Sequence, residues 1–221
     1  MQAATFLTEF HQETSVPAVM DEAQLKRLVH HPFALARQWI KEEDRFDFAE
    51  LEKNVEVHLR GRSIPLIWSH GDFTYDNLVV NKTSADPIGI IDWDHSQEQA
   101  LPLIDLLYFL HHDKMRRQKE SLAEVIYQRL FASQYSEFEK QMIDSYCRQV
   151  GVSMELVETL TILSWVHHLG YRFEHLENYR FPDLIDWGVG RVLREARKRK
   201  ENPSSILLDL DAPVVTNVFG E

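Results

Sequence analysis

The hydrophobic pattern changes period twice along the chain, and this limits the fold more than any other feature. Before residue 60 apolar side chains recur three or four apart. The groups are Phe6, Leu7 and Phe10; Leu25, Leu28 and Val29; Phe33, Ala36, Trp39 and Ile40; and Phe48, Leu51, Val55 and Leu59. That spacing puts each group on one stripe of a helix. Pro17 and Gly61 read as stops, and Pro32 opens a long pattern that continues to Leu59. The first quarter therefore reads as helical, and no glycine precedes Gly61. Three short apolar runs follow, at 64–69, 78–80 and 88–91. They are strand-length, and the polar, turn-rich 81–87 joins the last two as a hairpin. From Pro102 the helical period returns in 103–111, 122–132, 138–150, 154–176 and 184–200, with Gly151 and Pro203 as stops. The tail, 206–221, has no decisive period and is compatible with an extended arm.

The expectation is a mostly α chain with a small β-hairpin region, an α+β class. It is read as one unit over 1–221. Residues 1–60 are helical, 64–94 hold short strands and loops, 101–200 form a helical subdomain, and 201–221 are a tail. A chain of 221 residues buries enough surface to fold without a staple. Cys147, the single cysteine, excludes an intrachain disulfide, a cysteine zinc site and a redox pair. It reads as a small buried apolar residue. With 35 acidic against 24 basic residues the net charge is -11, which argues against a general grip on nucleic acid or anionic membrane. Residues 1–14 carry two glutamates and no long apolar run, so they do not read as a secretory signal. A cytoplasmic setting fits best.

The unusual residues gather around the predicted strands. His70-Gly71-Asp72-Phe73-Thr74-Tyr75-Asp76-Asn77 lies between two of them, and Ile90-Ile91-Asp92-Trp93-Asp94 ends the third. An Asp and an Asn five apart, with a hairpin Asp twenty residues on, form an oxygen-rich cluster. Mg²⁺ wants oxygen ligands and needs few from protein when phosphates supply the rest. Phosphoryl transfer uses one carboxylate for the attacking hydroxyl, and an Asn with a second Asp for the metal. Asp72, Asn77 and Asp92 have that spacing.

These residues resemble the catalytic core of the aminoglycoside phosphotransferase and choline kinase family, the small-molecule branch of the protein-kinase-like fold. The resemblance rests on His-Gly-Asp, the Asn five after that Asp, the apolar pair before Asp92-Trp93-Asp94, and Pro102-Leu103-Ile104-Asp105-Leu106. It spans 66–110. It implies that Asp72 is the catalytic base and that Asn77 and Asp92 are Mg²⁺ ligands. It further implies that His70 shapes the loop, that Asp94 gives local support, and that Asp105 braces the catalytic loop from the following helix. ATP or GTP is implied as donor, and an aminoglycoside, choline or sugar-like hydroxyl as acceptor. No residue is assigned to acceptor binding.

Residues 6–11 resemble the helix that follows the hinge to the nucleotide lobe. That lobe brings a glycine-containing loop and a strand lysine. Lys26 and Lys41 lie in helical patterns instead. The expectation is a C-terminal lobe alone, nearly inactive as this chain, with an upstream lobe or a partner chain supplying the rest. One alternative is a degenerate lobe with a binding or assembly role. A weaker one is a metal-dependent phosphoester hydrolase using His70, Asp72, Asp92 and Asp94. Neighbouring pairs such as His111-His112 and His167-His168 point about 100° apart on a helix and chelate poorly. The basic run from Arg191 to Lys200 reads as a helix end complementing its dipole.

Overall fold

The computed structural model describes residues 2–38, 40–81, 87–131, 135–175, 190 and 192–194. Helix α1, Gln2–Thr14, buries Ala4, Leu7, Thr8 and His11, one stripe of a 3.6-residue period. A strand follows it, which corrects the wholly helical reading of the first quarter. Strand β1, Val16–Val19, pairs antiparallel with Ser63–Ser69, from Val16 opposite Leu66 to Val19 opposite Ser63. Four residues are too few to show an alternation. Pro17 faces Pro65 across the ladder, a pair in which neither residue has an N–H to donate.

Helix α2, Glu22–Leu25, starts at Asp21, whose side chain accepts from the Gln24 amide. It passes through a π-helical turn, Lys26–His30, into α3, His31–Arg37. The pattern that reads as one run from Pro32 to Leu59 is two helices. A 3₁₀ turn, Glu42–Asp44, separates α3 from α4, Arg45–Leu59. The break lets α4 fold back, so that the Phe33 and Phe48 rings meet at 5.0 Å.

Strand β2 is Ser63–Ser69, and β3, Leu78–Val80, pairs antiparallel with β4, Pro87–Ile90, as the spacing predicts. Strand β5, Gln97–Ala100, lies on the other edge of β2 and gives the order β1-β2-β5. Its sequence gave no strand signal, because three of its four residues are polar and exposed. Four helices with defined bounds follow among the described residues. They are α5, Ile104–Gln118; α6, Leu122–Phe131; α7, Glu137–Val150; and α8, Val157–His175, entered through a 3₁₀ turn at Met154–Leu156. Ser136 and Glu139 form a capping box at the start of α7, and Gly151 ends it at φ 84. The predicted helix at 184–200, the basic run and the tail lie outside the described residues, apart from 190 and 192–194. Among the described residues the chain is mostly helical with small antiparallel sheets, compatible with an α+β class. No described helix is long and apolar enough to cross a membrane.

One core links α1 to α8, with Trp165, Tyr146, Phe33, Phe48 and Phe73 fully buried. Cys147 lies in it as a free thiol. His111 of α5 is also enclosed, 1% exposed. Burial, with the charges of Arg129 and Lys114 adding to it, lowers its pKa to about 3. In the unfolded chain the ring titrates near about 6.5. Between those values the unfolded state binds more protons, so stability is lost as pH falls, by at most about 1.4 kcal/mol per unit. His111→Leu should therefore flatten the fall of Tm between about pH 6 and 4. Equal slopes in the two proteins would contradict this.

Candidate active site

Strand β2 delivers the chain into His70-Gly71-Asp72, and the way this turn is held explains its sequence. Gly71 sits at φ +84, and a Cβ there would lie 2.2 Å from the His95 carbonyl oxygen. Only glycine fits both conditions. The His70 amide donates to Asp105 Oδ2 at 2.6 Å, and the Gly71 amide donates to Oδ1 at 3.0 Å. Asp105, in the first turn of α5, is thus the acceptor for two consecutive amides of the loop. His70 is buried and joins three segments. Its Nδ1 accepts from the Asp72 amide at 3.2 Å. Its Nε2 must then carry the proton, and it donates to the Ile91 carbonyl at 3.0 Å.

Asn77 closes the loop on itself. Its Nδ2 donates to the Asp72 carbonyl at 2.9 Å and to Asp72 Oδ2 at 3.0 Å. Its backbone carbonyl accepts from the Ile91 amide at 3.0 Å. The loop is therefore bonded through Ile91 to the end of the β3–β4 hairpin. Asp92 follows at φ 63, a left-handed conformation that turns the chain sharply, and its side chain is exposed. Trp93 packs on His70 at 4.6 Å and on Phe10 at 5.4 Å, while its Nε1 donates to the Ile90 carbonyl.

Among the described residues, Asn77 Oδ1 and the carboxylates of Asp92 and Asp94 accept no hydrogen bond and form no ion pair. Asn77 Oδ1 and Asp92 are hard oxygen donors left open on neighbouring segments, a donor set suited to Mg²⁺. No group of three His, Cys, Asp or Glu among the described residues converges on a metal position. A cation here would take most of its ligands from phosphate and water.

A cavity of about 690 Å³ opens beside this loop. Asp72, Asp94 and Asp105 line it, together with Arg27, Tyr108 and His167. His70, Asn77 and Asp92 are not part of its lining. Asp72 thus stands between an open cavity and the hairpin that bears Asp92.

The bracing of Asp105 continues inward through residues that sequence reasoning missed. His11 Nε2 lies 3.3 Å from Asp105 Oδ2, and its Nδ1 lies 2.7 Å from the Tyr146 hydroxyl. That hydroxyl accepts from the Leu103 amide at 2.9 Å. The bonds run in one direction when Tyr146 donates to Nδ1 and His11 Nε2–H faces the carboxylate. The signal was a polar residue inside an apolar stripe: His11 continues Ala4, Leu7 and Thr8, and Tyr146 stands between Ile143 and Cys147. Burial alone would raise the Asp105 pKa. The His11 ring beside it and the two loop amides outweigh it and hold the carboxyl below the usual range. Burial pushes the Tyr146 hydroxyl up.

Asp105→Ala leaves the buried His70 amide and the half-buried Gly71 amide without an acceptor. It should lower stability by about 1–3 kcal/mol in denaturant titration. The folded pKa is depressed, so this contribution is complete above the unfolded value of about 3.9 and is lost as pH falls through the folded value. An unchanged denaturation midpoint at pH 7 would remove the bracing role.

A model of the phosphotransferase enzyme family matches residues 2–139, more than half of the chain. The match takes in both loops, the hairpin, Asp105 and His11, but not Tyr146. No curated protein matches the chain.

Proposed function

Because this chain belongs to the phosphotransferase enzyme family, we propose that it carries the acceptor and metal side of a nucleotide-dependent kinase of small-molecule hydroxyls. The observation that supports this reading is the position of Asp72, bonded to Asn77 on one side and open to the cavity on the other. In this reading an acceptor hydroxyl sits in the cavity and gives its proton to Asp72. Asn77 both holds Asp72 in place and offers Oδ1 to Mg²⁺, and Asp92 offers its carboxylate. Bound there, Mg²⁺ would neutralise charge on the transferring phosphoryl group of ATP or GTP. His70 and Asp105 keep the loop rigid, and Asp94 supports the cavity rim.

The family implies a protein-kinase-like fold, and we assign this chain to its C-terminal lobe. Residues 1–60 contain no glycine for a phosphate-covering loop. We therefore assign that part to a lobe beyond these residues, in the same polypeptide or in a partner chain. The exposed rings of Phe6 and Trp68 and the exposed Ile91, adjacent to Asp92, would suit burial against it. The single, buried Cys147 supports a reducing, cytoplasmic setting. The acidic balance supports partners other than nucleic acid or an anionic membrane.

The test is transfer of the γ-phosphoryl group of MgATP to a hydroxyl acceptor, followed by ³¹P NMR, with the nucleotide lobe present. Release of inorganic phosphate from a phosphomonoester without any nucleotide would instead replace the kinase reading with hydrolysis.

A further inference from the structure

We infer that the cavity beside Asp72 takes a hydroxylated carboxylic acid, and that Arg27 is the residue that holds the carboxylate. This rests on the proposed acceptor role of the cavity. Arg27 lines it and, among the described residues, meets only neutral oxygens. Its Nη2 donates to Gln24 Oε1 and to the Gln99 carbonyl, each at 2.7 Å. Arg37, Arg60, Arg62, Arg116, Arg129 and Arg148 each pair with a carboxylate. Among the described residues Arg27 pairs with none, in a chain with 35 acidic residues against 24 basic ones. Partial burial lowers its pKa with no acid to offset the loss of water. The guanidinium is thus held in place with Nε and Nη1 unspent, which suits a planar anion.

The backbone around it is irregular on both sides. The π-helical turn Lys26–His30 brings Arg27 and Leu28 to the cavity, and turns of this kind recur at functional sites. Gln99, whose carbonyl anchors Arg27, sits at φ 54, a left-handed conformation that is strained for a residue other than glycine.

The opposing charges do not cancel this preference. Asp105 is buried and its oxygens are taken by His11 and two amides. Asp72 is engaged by Asn77. Asp94 and Glu98, also in the lining, are exposed, as Arg27 is, and differ from it in what holds them. Neither has a bonded partner among the described residues, so each would lose side-chain freedom on gripping an ammonium group. Arg27 has already lost that freedom. His167, also in the lining, is held neutral by burial, its pKa lowered to about 4, and donates to the Leu28 carbonyl. About 690 Å³ accommodates a six-carbon polyol.

The experiment uses three linear six-carbon probes that differ at one end: sorbitol, D-gluconate and D-glucamine. Binding to this chain is measured by NMR titration without nucleotide. Gluconate should bind at least about tenfold more tightly than glucamine. Arg27→Gln should remove that difference, leave sorbitol affinity and Tm unchanged, and be partly rescued by Arg27→Lys. Glucamine binding as well as gluconate overturns the inference, as does gluconate affinity that survives Arg27→Gln, or no binding of any probe. Gluconate preference upholds it even where MgATP, with the nucleotide lobe present, transfers no phosphoryl group to any hydroxyl, a result that removes the kinase reading alone. Transfer with glucamine preferred does the reverse.

Discussion

Asp72→Ala should reduce phosphoryl transfer by at least about 10²-fold, with Asp92→Ala equally severe, when each is assayed with the nucleotide lobe present. The two losses have different causes. Among the described residues Asp72 is the only carboxylate that both touches Asn77 and lines the cavity. Removing it leaves the hydroxyl proton without an acceptor and frees Asn77 from one of its two bonds. Asp92 has no bond that holds the fold together among the described residues, and its side chain is exposed. Its loss should therefore leave Tm within about 1 °C, since surface substitutions change stability by about 0.5 kcal/mol or less. The pair separates chemistry from folding. Turnover near that of the parent in either variant would remove that residue from the mechanism.

Gly71→Ala should be the most damaging small substitution in the loop. The new methyl would stand 2.2 Å from the His95 carbonyl oxygen, a backbone atom that cannot swing aside, and φ is +84. Left-handed strain of about 1–3 kcal/mol adds to overpacking of similar size, so a loss of about 3 kcal/mol or more is expected. For a chain of this length that lowers Tm by roughly 6–12 °C. Gly61→Ala is the control, with φ +74 and nothing within 4 Å of the added methyl. It should show the strain alone. Equal melting temperatures for the two variants would mean that the loop yields where the geometry says it cannot.

Helices were legible in the sequence where an apolar stripe ran for three turns, as in α7 and α8. The β3–β4 hairpin was legible because two apolar runs flank a turn-rich stretch. Strands β1 and β5 were not. Val16–Val19 is too short to alternate, and Gln97–Ala100 is polar because its side chains face water. Both exist because β2 supplies partners on each edge. A single-sequence pattern does not show such a dependence.

The residues named from the sequence lie close together in the chain and in space. His70, Asp72 and Asn77 share one loop, Ile91 bonds that loop to the segment of Asp92 and Asp94, and Asp105 accepts two of its amides. His11, Tyr146 and Arg27 were hidden for a different reason. Each reaches the site across a long stretch of sequence, and each looks ordinary on its own helix. Only packing shows that His11 faces Asp105 or that Arg27 meets no acid among the described residues.

The central claim is that Asn77 and Asp92 hold a metal–nucleotide complex from one side. NMR titration of this 221-residue chain with MgATP, followed at the Asn77 side-chain amide, tests it most directly. Open to water, the charges of such a half-site act in high dielectric, and affinity should be near millimolar, about -4 kcal/mol. The account predicts Mg²⁺-dependent shifts at Asn77 that Asp92→Ala abolishes. Shifts that need no Mg²⁺, or that survive Asp92→Ala unchanged, would contradict it.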